Sequence, residues 1–137
     1  MEIKKITIFA TKAKVSHLRP EDEVEQFLVV DIDGHIYFHS MYYGGGYRQY
    51  QEGRTLEFFI DGNESFNIIN YVCNYFAKHG SWGVIPGLGS WKMTMMDNEE
   101  KNYEYYGSLT GAHNELTDYI RQRIHIDNLY VFSNEGF

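Results

Sequence analysis

Residues 27–40, FLVVDIDGHIYFHS, decide the fold class. Two runs rich in β-branched and aromatic residues, Phe27 to Asp31 and His35 to Ser40, flank Asp33-Gly34. An Asp-Gly pair between such runs is the strongest short hairpin signal a sequence offers. The pattern continues outward. Upstream, Lys4 to Ala13 (KKITIFATKA) alternates with the two-residue period of a strand, placing Ile6, Ile8 and Ala10 on one side. Downstream, Thr55 to Ile60 (TLEFFI) reads as a strand ended by Asp61-Gly62. Between these, residues 15–25 read as a polar loop containing Arg19-Pro20, and Tyr42-Tyr43-Gly44-Gly45-Gly46-Tyr47 reads as a turn or bulge. The first sixty residues therefore predict an antiparallel meander of about four strands.

The period then changes. Phe66, Ile69, Val72, Cys73 and Phe76 form one apolar stripe at helical spacing, with Asn63 or Ser65 as candidate caps and Gly80 just past the end. Ser81 to Ser90 holds three glycines and a proline and predicts a loop. Trp91 to Asp97 alternates again, with Tyr103 to Leu109 as its hairpin partner across an acidic turn. Asn114 is placed to cap a second helix with apolar positions Leu116, Tyr119, Ile120 and Ile124, and Leu129 to Phe132 reads as a short closing strand. No repeat or linker interrupts this order. The expectation is one α+β domain spanning residues 1–137: a mostly antiparallel sheet of about six to seven strands with two helices packed on one face.

Composition narrows the class of activity. The chain has 137 residues, 43% of them hydrophobic and 23% charged, which argues for a packed core rather than disorder. Its single cysteine, Cys73, excludes an internal disulfide and a cysteine-rich zinc site. The first fifteen residues lack the apolar run of a secretory leader, and no segment is apolar enough to span a bilayer. A cytoplasmic location is expected. The net charge of −7 disfavours direct binding to nucleic acid or to an anionic membrane. The charge is also unevenly spread. Lys4, Lys5, Lys12, Lys14 and Arg19 precede Glu21, Asp22, Glu23, Glu25, Asp31 and Asp33. An acidic segment of this kind suits a basic protein partner, one that itself grips nucleic acid.

No catalytic constellation is visible. His35 and His39 have a spacing that suits a shared metal on a helix, but on a strand they stand ~13 Å apart, too far for one ion. Cys73 lies on the apolar stripe, where it fills space rather than attacks. The glycines of 80–90 lack the Gly-Lys-Ser/Thr end of a phosphate loop, so no metal, cofactor or nucleotide site is expected. The tyrosine–glycine turn is the feature that suits recognition. Tyr42, Tyr43, Tyr47 and Tyr50, with Arg48 among them, combine large contact area with an adaptable backbone.

The C-terminal third carries a likeness. Trp91-Lys92-Met93-Thr94-Met95, the Tyr103 to Leu109 strand with Gly107-Ser108, Leu116 with Tyr119-Ile120-Arg121, and Asp127 to Phe132 together resemble a group of small uncharacterised bacterial proteins. The Lys4-Lys5-Ile6-Thr7 strand and the Asp33-Gly34 hairpin are similar as well. The resemblance implies an α+β fold and no chemistry. The functional expectation therefore comes from the residues themselves. It is a non-enzymatic protein-binding module, a small acidic stoichiometric inhibitor or immunity-type protein, with an anti-defence protein such as an anti-CRISPR as the concrete version. The expected binding residues are Glu21, Asp22, Glu23, Glu25, Tyr42, Tyr43, Tyr47, Arg48 and Tyr50. The alternative is a small-ligand sensor or enzyme whose histidine and carboxylate site is assembled only by the fold.

Overall fold

Antiparallel pairing spreads from the Asp33-Gly34 hairpin across the whole sheet. The computed structural model describes residues 2–12, 17–46, 48–79 and 88–133. Strands β1 (Ile3–Thr11), β2 (Glu23–Asp31), β3 (His35–Tyr42) and β4 (Gln51–Phe59) form the meander. Helix α1 (Gly62–His79) carries the chain back across it to β5 (Ser90–Asp97) and β6 (Asn102–Ser108). A turn of 3-10 helix, Gly111–His113, leads into α2 (Asn114–Arg121). The sheet order is β4-β3-β2-β1-β5-β6 and every neighbouring pair is antiparallel. The α+β class, the single antiparallel sheet and the two helices match the sequence expectation.

Alternation fixes which face is covered. Ile6, Ile8 and Ala10 of β1, Leu28 and Val30 of β2, Ile36 and Phe38 of β3, and Trp91, Met93 and Met95 of β5 are buried on one face. Each large side chain so buried contributes about 1.5–3 kcal/mol relative to exposure. A one-residue slip would send the whole set to the other face, so the register is strongly specified. Against this face α1 packs Ile68, Ile69, Val72 and Phe76, and α2 adds Leu116 and Ile120. Phe76, Trp91 and Phe132 join them, with ring centroids 5.0–5.8 Å apart. Phe9, Phe59 and Tyr106 point the opposite way and are exposed.

Five details differ from the sequence reading. Strand β2 begins at Glu23, so part of the expected polar loop is strand. The α1 stripe keeps Ile69, Val72 and Phe76 buried as expected but is centred toward Ile68 and Tyr75, which are buried too, while Phe66 is exposed and Cys73 is half-buried beside Met95. Its start is capped by Asp61, whose Oδ1 accepts the Asn63 N–H at 2.8 Å, not by Asn63 or Ser65. The Ser65 hydroxyl instead donates to the Ile32 and Gly62 carbonyls. Likewise His113, not Asn114, occupies the cap of α2. Finally, Leu129 to Phe132 is buried but is not a strand, so the described sheet has six. Its backbone is satisfied by side chains: the Tyr130 N–H donates to Gln26 Oε1 and the Phe132 N–H to Thr117 Oγ1. The expected C-terminal glycine of α1, Gly80, and most of the loop 80–90 lie outside the described residues.

Candidate functional site: a polar cavity at the end of the sheet

The apolar inner face stops where two strand registers shift. In the β2–β3 pair the shift falls between Glu23 and Glu25, and in the β3–β4 pair between His39 and Met41. Gly53 sits in the second irregularity, where a Cβ would collide with Ser40. Bulges re-aim side chains, and here they turn Glu23 and Arg54 toward each other beneath the C-terminal segment. Arg54 donates to both Glu23 oxygens, Nε at 2.7 Å and Nη2 at 2.6 Å. Ser40 Oγ also donates to Glu23 while accepting the Arg54 backbone N–H. Arg54 Nη2 reaches on to the Asp127 carbonyl at 2.8 Å. Gln26, buried in the inward row, donates to Glu23 and to the Asn128 carbonyl and accepts from Tyr130. Tyr130 Oη in turn donates to the Glu23 carbonyl at 3.1 Å.

Burial alone would raise the Glu23 carboxyl. The hydrogen bonds from Arg54 and Ser40, the Arg54 charge and the Gln26 amide outweigh it and hold the group below the ordinary glutamate value. A cavity of about 530 Å³ opens over this network. Lys12, Glu23, Arg54 and Tyr130 line it from the network side, with Asp127 and Asn128 from the C-terminal segment. Arg19, Glu21, Asp22 and Tyr42 complete it. Asp22 accepts the Arg19 backbone N–H at 2.9 Å and the guanidinium at 3.2 Å. Burial opposes these bonds, yet they keep the Asp22 carboxyl below its usual value.

Lys12 is the unusual member. It continues the inward row of Ile6, Ile8 and Ala10 and is only 6% exposed. Its Nζ stands 4.2 Å from the centroid of the Tyr130 ring, a cation–π placement. Desolvation lowers its pKa to about 8, against the Asp22 and Glu23 charges, which pull it up.

The expected binding residues divide between surfaces. Glu21, Asp22, Glu23 and Tyr42 line the cavity. The acidic segment and the tyrosine turn are stitched together: the Tyr43 N–H donates to the Asp22 carbonyl at 2.8 Å and the Gly44 N–H to the Pro20 carbonyl at 3.0 Å. Tyr43 and Tyr50 stand with ring centroids 6.1 Å apart. Arg48 is exposed with a left-handed backbone, φ 64°. Tyr47 lies outside the described residues. Two acids leave the group. Glu23 is held inward by Arg54, and Glu25 sits in register with Thr11 and Met41 on the sheet face turned away from the helices. There partial burial raises its carboxyl above the usual value.

Sequence reasoning missed Lys12, Gln26, Arg54, Asp127, Asn128 and Tyr130 as site residues. Two signals were present. Gln26 is a polar residue at an inward position of Val24-x-Gln26-x-Leu28, and Gly53 is a glycine inside a strand, a usual mark of a bulge. The histidines go elsewhere. His35 Nε2 meets Glu57 Oε2 at 2.6 Å, while His39 meets Thr55 Oγ1 at 2.8 Å and Glu52 Oε2 at 3.0 Å. Among the described residues no three histidine, cysteine or carboxylate side chains are grouped to hold a metal ion. Nor is any described helix long and apolar enough to cross a membrane. Neither a protein-family model nor a curated relative matches the chain.

Proposed function

We propose that this chain is a protein-binding module that acts in the cytoplasm as a small acidic stoichiometric inhibitor or immunity-type protein, anti-defence inhibition of the anti-CRISPR kind being the concrete version. Its partner is a basic protein, one whose own surface grips nucleic acid. The observation that supports this reading is the joining of the acidic segment to the tyrosine turn by two backbone hydrogen bonds, Tyr43 N–H to the Asp22 carbonyl and Gly44 N–H to the Pro20 carbonyl. Exposed carboxylates raise encounter rates with a positive surface, and neighbouring tyrosines supply anchors that hold the complex. The net charge of −7 favours the same partner sign. Capture from host extract with the tagged full chain, compared with a Tyr43→Ala/Tyr50→Ala variant, tests it. A basic protein retained by the wild type and lost by the variant is the expected result. Equal retention by both contradicts the assigned surface. The cavity behind this edge favours a second reading, a small-ligand site assembled by the fold, through the placement of Lys12.

A further inference from the structure

A lysine at the end of a buried strand row is costly, because desolvating an ammonium is unfavourable and any aliphatic residue would fill the row without that penalty. Lys12 nevertheless occupies that place and lines a cavity of about 530 Å³. The amine is also positioned. The Tyr130 ring beneath it is fixed at both ends, by Tyr130 Oη to the Glu23 carbonyl and by its backbone N–H to Gln26. The backbone N–H of Lys12 is anchored to the Val24 carbonyl at 2.7 Å.

We propose that Lys12 is a carbonyl-capturing amine, whose Nζ condenses with a small aldehyde entering the cavity to form an imine. The Nζ lone pair attacks the carbonyl carbon and a C–N bond forms. The C=O bond breaks and its oxygen leaves as water, taking one proton from the amine and one from solvent. The second amine proton stays on nitrogen as a protonated imine, and no oxidant or reductant is consumed. The surroundings favour this chemistry over acyl transfer. A protonated imine keeps the positive charge at Nζ, where Asp22, Glu23 and the Tyr130 ring stabilise it. An amide would erase that charge and leave the same groups facing a neutral atom.

The amine is partly neutral under physiological conditions, as a nucleophile must be. Desolvation brings it to about 8. Its neutral fraction at pH 7 is then about 300-fold that of a lysine at the ordinary value. Among the described residues, the charged or titratable groups that line the cavity with Lys12 are Arg19, Glu21 and Asp22 from the segment before β2, Glu23 of β2, Tyr42 of β3, Arg54 of β4, and Asp127 and Tyr130 of the C-terminal segment. Arg19 and Arg54 are engaged by Asp22 and Glu23 respectively, and burial keeps the Tyr130 phenol neutral well above its usual value. The inference does not rest on the protein-binding reading, and either can fail alone.

The test is reductive trapping of the full chain with acetaldehyde and cyanoborohydride, followed by peptide mass mapping of each lysine. Lys12 is expected to be alkylated at least tenfold faster than the exposed Lys92 and Lys101 at pH 7, with a rate that levels off above pH 8. In concentrated urea the preference should vanish, and Lys12→Arg should remove the fast-reacting site without loss of the circular dichroism signal. Alkylation of Lys12 no faster than Lys92, as simple burial would give, overturns the proposal. So does a preference that persists in urea.

Discussion

Replacing Arg54 with Met removes two charge-assisted hydrogen bonds from Glu23 and one from the Asp127 carbonyl, leaving the carboxylate with Ser40 and Gln26 as donors. Charge-assisted bonds are worth about 1.5–3 kcal/mol each, and breaking a fully buried pair costs about 3–5 kcal/mol. This pair is not fully buried: the side chains of Arg54 and Glu23 are 27% and 11% exposed. The expected loss is therefore about 2–3 kcal/mol, a large share of the about 5–15 kcal/mol that holds a domain folded. Urea unfolding followed by circular dichroism measures it. The pH dependence supplies an independent signature. The folded Glu23 carboxyl lies below its unfolded value, so its contribution is present above that value and disappears as pH falls through the folded one. The difference between wild type and Arg54→Met should be full at neutral pH and shrink below about pH 4.5. A loss under about 0.5 kcal/mol, or one that does not change with pH, refutes the reasoning.

Two further outcomes follow from the core and its turns. Gly34→Ala should destabilise by about 2–3 kcal/mol in the same urea assay, because a Cβ there meets the Ile60 carbonyl at a φ of 100°; wild-type stability would show that the turn relaxes. Cys73 should react slowly with thiol reagents at neutral pH, burial having raised its thiol to about 11, and Cys73→Ala should cost about 1–2 kcal/mol; rapid native-state labelling contradicts that environment.

The sheet was legible because its signals are local. Asp33-Gly34 lies between alternating runs, and Trp91 to Asp97 alternates cleanly, so the β2–β3 and β5–β6 hairpins follow from turn chemistry and period, whereas the β1–β5 pairing that joins the two halves of the sheet has no local signal. Strand β2 was read too short because Glu23 and Glu25 look like loop residues, and only Arg54, thirty-one positions away, makes an inward Glu23 tolerable. Leu129 to Phe132 has the residues of a strand, yet its backbone donors reach Gln26 and Thr117 side chains, a solution that no periodicity reveals. The stripe of α1 was right at Ile69, Val72 and Phe76 and wrong at its edge, where Phe66 was assumed to face the core but is exposed and Ile68 is buried instead. For the site, the acidic segment and the tyrosine turn were chosen on composition. That they touch depends on the β2–β3 register. Lys12 and Tyr130 are far apart in sequence and meet only through the fold, so the cavity had no one-dimensional signature beyond Gln26 and Gly53.

The most direct test of the protein-binding claim is the association and dissociation kinetics of the captured partner, measured across a salt series for wild type, Glu21→Gln and Tyr43→Ala/Tyr50→Ala. Association with the wild type should slow as salt rises, and Glu21→Gln, whose side chain is 66% exposed, should flatten that dependence while leaving dissociation unchanged. The double tyrosine variant should dissociate at least about thirtyfold faster at every salt concentration, the equivalent of about 2 kcal/mol lost at the anchors. Identical kinetics for all three folded proteins would contradict an interface on the acidic–tyrosine edge.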